Sequence, residues 1–339
     1  MNPIQVCLER AGAVESSHEV HCVVVGANAG ERTETGGVIW GDPELGAFWR
    51  SSMKPFQAVP LVRAGVFDRL DLGEEELALA CASHHGTPVH LDRVRHILDA
   101  AHVPEDALAC GPHRPVDTKA AERLDASGEA PGRIHNNCSG KHAAMLAGAA
   151  DRGWALQGYH RFDHPAQAEI RTGLSEWIER DAESFTWGVD GCGVPTLRLA
   201  LDEMARAYAR FGAADDPAVR RIATAMTKHP TLVSGTTAFS AHLMRATGGR
   251  ILAKEGAEGV FCLAEPGRRW GAAFKVRDGA KRAVGPAVVG ALLSCGLISA
   301  AEGEGLSAFA RVRIDNTRGE QVAVLRASLD ASLDANDER

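Results

Sequence analysis

At 339 residues the chain can bury a large core, as one big domain or two closely packed lobes. Hydrophobic residues at 45% and charged residues at 24% are ordinary for a globular protein. A net charge of -7, a pI of about 6.1 and the lack of any basic run argue against nucleic acid or an anionic membrane as partner.

The first ten residues, M-N-P-I-Q-V-C-L-E-R, lack the basic start and apolar stretch of a signal peptide. Residues 18–40 read as a hairpin: H-E-V-H-C-V-V-V, a glycine-rich turn, then V-I-W. Helical patterns follow near 54–66, 74–82 and 88–102. The stretch 103–134 is rich in proline, glycine and charge and reads as irregular. A helix is expected over about 140–152, capped by Ser139 or Asn137, and others over 164–180, 196–212, 217–227 and 236–247. From 250 strands return: 251–264 and 270–279 as two strands, then a buried helix over 285–302. A last pair, A-R-V-R-I and V-A-V-L-R, flanks the turn D-N-T-R-G-E, and the tail is expected to fray. Strands at both ends with helices between predict an α+β class, the terminal strands sharing one antiparallel sheet. No segment approaches the ~18 apolar residues of a membrane span. Eight thinly spread cysteines suit a reducing compartment, so a cytoplasmic protein is expected.

Polar, glycine-rich clusters carry the chemistry. In R-S-S-M-K-P-F-Q, residues 50–57, Ser51 and Lys54 stand three apart and share a helix face. A serine hydroxyl is a weak nucleophile until a neighbour takes its proton, and a lysine amine can do so when neutral. Pro55 is tolerated only in a first helical turn, which places Ser51 at a helix start, where backbone N–H groups favour developing negative charge. On its own, S-x-x-K more often marks a solvated lysine one turn past a cap. Ser83 lies in C-A-S-H-H-G-T, 81–87, which otherwise reads as a helix C-terminus with two histidines facing its dipole. H-N-N-C-S-G-K-H, 135–142, sets Cys138 and Lys141 three apart at a helix start, fit for an anion or a metal, or simply a polar cap with an inert thiol. D-G-C-G-V-P, 190–195, puts Cys192 on a glycine-flanked loop, more exposed than a core cysteine. Cys138 and Cys192 are open to a shared metal or a disulfide, and with no C-x-x-C pair the spacing is a weak zinc signal. Lys275 interrupts an apolar strand, G-A-A-F-K-V-R-D-G, where an edge gatekeeper is the ordinary meaning. Cys7, Cys22, Cys110, Cys262 and Cys295 lie in apolar runs and read as core fillers.

In order and spacing these motifs, with V-E-S-S-H-E-V-H and D-N-T-R-G, resemble the asparaginase II family, the rhizobial-type L-asparaginases, over about residues 5–327. The resemblance implies a fold like the serine β-lactamases and glutaminases, an antiparallel sheet of N- and C-terminal strands packed with a helical region. Residues 1–328 would form one catalytic domain of two intimately packed lobes, and 329–339 a flexible tail. It implies a homodimer that hydrolyses L-asparagine to aspartate and ammonia. Two serine–lysine tandems are implied, Ser51 with Lys54 and Ser83 with Lys275. A zinc ion on Cys138, Lys141 and Cys192 is implied by the same likeness.

The expected mechanism is attack by Ser51 on the carboxamide, with lysine as base and an acyl-enzyme resolved by water. Arg50 is expected to meet the substrate carboxylate and Asp190 its ammonium. His135 either faces the pocket or is structural. One rival, a penicillin-binding or β-lactamase-type hydrolase, needs S-x-N and K-T/S-G motifs, and the chain has neither. Another changes the substrate to glutamine or another short amide, a difference of one methylene worth only ~1–3 kcal/mol. A third keeps the fold but makes the thiols and lysines a zinc or redox sensor.

Overall fold

Aliphatic runs from opposite ends of the chain meet as neighbours in one antiparallel sheet. Ile4–Arg10 lies between Ala13–Gly26 and Gln321–Ser328, with Val6 opposite Ala327 and Leu8 opposite Leu325. The sheet runs Arg311–Asp315, Gln321–Ser328, Ile4–Arg10, Ala13–Gly26, Trp270–Val276, Val260–Ala264 and Leu252–Glu255, and Val38–Trp40 pairs with Ala13–Gly26. This computed structural model describes residues 1–27 and 37–329. The expected hairpin turn, 28–36, and the tail from 330 lie outside the described residues.

The chain forms two units. The first comprises Met1–Ala47, Leu199–Ala213 and Ala246–Arg339. It contains the large sheet with a helix on each face. Strand side chains alternate between faces. Gly271 lies on one face, where helix Leu201–Ala213 comes so close that a Cβ would sit 2.3 Å from Ala209 N and 2.5 Å from Ala205 O. Ala327 lies on the other, 3.7 Å from where a Cβ on Gly290 of helix Val284–Ser294 would be. The sheet core is fully buried: Ile4, Val6, Val20, Val23, Val24, Ala272, Phe274 and Val276 have no exposed surface.

The second unit comprises Phe48–Arg198 and Ala214–Arg245. It is helical, with a small sheet in which Thr186–Val189 pairs antiparallel with Pro195–Arg198. At its centre helix Ser139–Asp151 is buried over its first eleven residues, Ser139 to Ala149. Its small residues let neighbours approach. Gly140 meets the Leu79 carbonyl of helix Glu74–Ala80, and Gly148 meets the Leu61 side chain of helix Lys54–Arg63. That close packing carries Lys54 and the segment after Ala80 to the start of the Ser139 helix.

Several expectations change. Residues 195–200 form a strand, and the helix starts only at Leu201. The alternation Pro-Thr-Leu-Arg-Leu, with Arg198 exposed, is satisfied by pairing to 186–189, which overrides helix propensity. The segment 251–264 is two strands, broken at Glu258 and Gly259, whose φ values are 58° and 68°. Within 103–134 sits helix Thr118–Ser127, started by the Asp117 carboxylate accepting from Ala120 N and ended at Gly128 with φ 72°. The expected buried helix 285–302 stops at Ser294. Helix Ser139–Asp151 has Cys138, not Ser139 or Asn137, at its cap, and Asn136 Oδ1 accepts from Cys138 N. Among the described residues no helix is long and apolar enough to cross a membrane.

Candidate active site

Arg50 to Met53 form a single 3₁₀ turn running into helix Lys54–Arg63, with Pro55 in the first turn as its ring requires. In such a turn residues three apart eclipse each other, so Ser51 and Lys54 rise on one side. Arg50 has φ 54°, a left-handed conformation unusual for a side-chain-bearing residue, and its N–H donates to Thr196 Oγ1. Lys54 is 1% exposed, while Ser51 and Ser83 are half-buried. A buried amine therefore stands beneath two accessible hydroxyls.

The Lys54 amine does not hydrogen-bond the Ser51 hydroxyl, which makes no hydrogen bond among the described residues. Lys54 Nζ donates to Ser83 Oγ at 3.0 Å, to the Ala82 carbonyl, and to Cys138 Sγ at 3.2 Å. Three separate motifs thus converge on one nitrogen. The loop beyond Ala80 is pinned for this: Ser83 N donates to Val233 O and His84 N to Asn137 O.

Cys138, Lys141 and Cys192 also converge. Lys141 Nζ donates to Cys192 Sγ at 3.1 Å, and all three residues are buried. Cys192 is 6% exposed, less open than its glycine-rich loop suggested. The loop is a tight turn closed by Asp190 N to Val194 O and Gly193 N to Asp190 O, with Gly193 at φ 90°, and it folds the thiol inward. The two thiols hydrogen-bond each other. That bond, then burial, pushes the Cys138 thiol up to about 12. The same bond brings Cys192 down to about 5, and Lys141 helps it overcome burial. Burial works against the Lys141 ammonium, but Cys192, Cys138 and Asp190 outweigh it and raise the group to about 12. Of the two thiols, Cys192 is the one drawn toward the thiolate, with the Lys141 amine donating to it. Burial also opposes ionisation of Asp190, yet Lys141 and then Arg50 hold its carboxyl below the usual range. Arg50 Nε donates to Asp190 Oδ1 at 2.7 Å, so the two residues expected to meet the substrate's charges meet each other.

The described residues contain no set of three His, Cys, Asp or Glu able to hold a metal. Two sulfurs of the kind zinc binds nevertheless converge with an amine, and three donors leave a fourth position open. Binding would require Lys141 to give up its proton.

His135 uses Nδ1 to accept from Gly132 N, closing its own turn. Lys275 belongs to the sheet unit, half-buried on strand Trp270–Val276, and its amine donates to the carbonyls of Glu258 and Val276. Burial lowers it from the ordinary lysine value, against Glu258 and Asp278. In the same unit the turn after Lys275 is tied back to the V-E-S-S-H segment by His18 Nδ1 to Asp278 Oδ2 at 2.6 Å.

Sequence reasoning passed over His142 and Tyr159. Tyr159 O–H accepts from Ala109 N and donates to His142 Nδ1 at 2.6 Å. Burial, then Lys141, drops His142 to about 3, so it stays neutral one turn from Cys138. Its place four residues after Cys138 was the available signal. All eight cysteines are free and buried, including the five read as core fillers.

The site thus joins a buried lysine bridging a serine hydroxyl and a thiol with a separate Arg50–Asp190 ion pair. The chain belongs to the L-asparaginase II family, whose model matches residues 6–327. No curated protein matches it. Among solved structures it is similar to Mglu in its native form in 4.3 M NaCl, at 17% identity and a TM-score of 0.34, covering 81% of this chain and 59% of that one. A second Mglu structure gives 16% identity and a TM-score of 0.34, covering 81% of this chain and 67% of that one. A Bacteroides dorei DSM 17855 protein described as a beta-lactamase gives 11% and 0.37, covering 85% of this chain and 92% of that one. Likeness at this level adds nothing to the argument.

Proposed function

We propose that the protein is an L-asparagine amidohydrolase producing L-aspartate and ammonia, with Ser51 as nucleophile and Lys54 as its general base. The observation that carries this is the Lys54 amine, one helical turn from Ser51 and 3.0 Å from Ser83 Oγ. Ser51 Oγ bonds to the carboxamide carbon while its proton passes to Lys54, after Lys54 has released to solvent one of the three protons it donates at rest to Ala82 O, Ser83 Oγ and Cys138 Sγ. Lys54 hands the proton through Ser83 to the leaving nitrogen, the C–N bond breaks, and ammonia departs. Water then attacks the acyl-enzyme, gives its proton to Lys54, and Ser51 is released as the hydroxyl. Asp190 and Arg50 would open their ion pair to take the substrate ammonium and α-carboxylate. His135, already engaged in its own turn, is assigned no step.

Cys138, Lys141 and Cys192 would hold a zinc ion, which would supply a Lewis acid when bound. The family resemblance also gives Lys275 a catalytic part and the protein a homodimeric state. Lys275→Met kinetics and sedimentation of the native protein test these separately.

The deciding experiment is ammonia release from L-asparagine and L-glutamine, each with and without added zinc. Release from asparagine in clear preference supports the proposal. Preference for glutamine moves the substrate by one methylene within the same chemistry. No release from either by folded, zinc-loaded protein would refute it and favour the zinc or thiol sensor.

A further inference from the structure

One buried imidazole lies between the Ser83 loop and the Cys138 turn and takes no part in the steps above. His84 has no exposed surface. Its Nδ1 accepts from Gly86 N at 3.1 Å, so the ring hydrogen is on Nε2, which donates to Ser139 Oγ at 2.8 Å. The Ser139 hydroxyl in turn donates to the Ile134 carbonyl at 2.7 Å. Both ring nitrogens are thus used, each in one fixed role. His90 stacks on the ring, centroids 5.1 Å apart at 16°, and is itself held by Nε2 to Thr231 O at 3.0 Å. His84 follows Ser83 directly, and Ser139 follows Cys138 directly. Ser83 Oγ and Cys138 Sγ are the two groups that Lys54 Nζ spans, at 3.0 and 3.2 Å.

We propose that His84 is a positioning residue for catalysis: its side-chain bond to Ser139, added to the backbone tie from His84 N to Asn137 O, sets the separation of Ser83 and Cys138, and so holds the Lys54 amine in line with the Ser83 hydroxyl. The proposal rests on the amidohydrolase reading above. The role demands an acceptor and a donor on opposite sides of one flat group. Phenylalanine keeps the volume and the stacking but offers neither. Glutamine offers both, its carbonyl toward Gly86 and its amide toward Ser139.

The test compares kcat, KM and thermal melting for the wild type, His84→Phe, His84→Gln, Ser139→Ala and the His84→Phe/Ser139→Ala double variant on L-asparagine. Misplacing a proton-transfer partner by a fraction of an ångström to 1 Å lowers turnover about 10- to 100-fold. His84→Phe is therefore expected to lose that much kcat, with KM within about twofold, because the Arg50–Asp190 pair is untouched. His84→Gln recovers most of the loss. Ser139→Ala reproduces it, and the double variant is no worse than His84→Phe, since both break one tie.

A His84→Phe kcat within about threefold of wild type overturns the proposal. So does a His84→Gln as impaired as His84→Phe with equal melting, or losses that multiply in the double variant. Should His84→Phe fail to fold, Ser139→Ala reads the same bond from its other end, and wild-type kcat there overturns the proposal. Should the wild type release no ammonia, the function reading fails instead. The Lys54 Nζ to Ser83 Oγ contact in a crystal structure of Ser139→Ala then decides this one: lengthening supports it, and an unchanged contact refutes it.

Discussion

Replacing Lys54 with methionine tests the centre of the site. Methionine fills nearly the same volume, so the helix packing around this 1%-exposed position is preserved. Three hydrogen bonds go: to Ala82 O, Ser83 Oγ and Cys138 Sγ. The Ser83 hydroxyl is half-buried and can turn to solvent, so the main uncompensated group is the Ala82 carbonyl, at about 1–3 kcal/mol. Removing the need to bury an amine offsets part of that, so melting should fall by only a few degrees. Catalysis should suffer far more. A positioned general base contributes about 10²–10⁴-fold, which at 1.36 kcal/mol per tenfold is roughly 2.7–5.4 kcal/mol of barrier. The assay is steady-state ammonia release at saturating L-asparagine, with circular dichroism melts on the same samples. A folded Lys54→Met retaining more than about a tenth of wild-type kcat would refute Lys54 as the base, because no such base contributes so little.

Other expectations are narrower. Cys192→Ala should lower zinc bound per chain after dialysis against buffered metal; unchanged metal content would remove Cys192 from the donor set. Glu76 anchors the helix leading to Ser83 by accepting from Gly73 N, Arg93 and His96, and though burial opposes its charge these partners hold its carboxyl below the usual value. A depressed carboxyl stabilises fully above its unfolded pKa of about 4.3 and stops doing so as pH falls through the folded value. Glu76→Gln should thus be less stable by about 1–3 kcal/mol at pH 7, with the gap shrinking below pH ~4; urea unfolding that shows a constant gap from pH 7 to 3 would contradict this. Gly271→Ala places a Cβ 2.3 Å from Ala209 N, against backbone that cannot turn aside. It should destabilise by about 1–3 kcal/mol or more, and an unchanged denaturation midpoint would disprove the close approach.

How far the fold could be read from the chain depended on whether each signal was local. The sheet-forming ends carried their own pattern: β-branched runs such as V-V-V at 23–25 and the turn D-N-T-R-G-E report strands without outside help. The helix 118–127 was also locally signalled, by Asp117 before it and Gly128 after it, but surrounding prolines and charges concealed it. Residues 195–200 differ in kind. Leu197, Leu199 and Leu201 alternate as a strand does, but the run leads straight into helix Leu201–Ala213, and the partner strand at 186–189 marks where one ends and the other begins. Short apolar runs of this sort are ambiguous until tertiary pairing is known.

The site divides along the same line. Cys138 and Lys141 are three residues apart, and so are Ser51 and Lys54, so helical geometry alone puts each pair on one face. Lys54 and Cys138 are 84 residues apart, and nothing in either motif announces that one amine reaches the other's sulfur. What joins them is two glycines with no chemistry of their own. Gly140 admits the Leu79 carbonyl and Gly148 admits Leu61, so the helix leading to Ser83 and the helix carrying Lys54 close onto the one that Cys138 begins. A methyl group at either glycine would press on backbone at 2.5 Å or on a leucine methyl at 2.4 Å. The glycines in G-K-H and A-G-A-A are therefore as necessary to the cluster as the groups that react. They act through the contacts they permit, and spacing rules that look for reactive side chains pass over them.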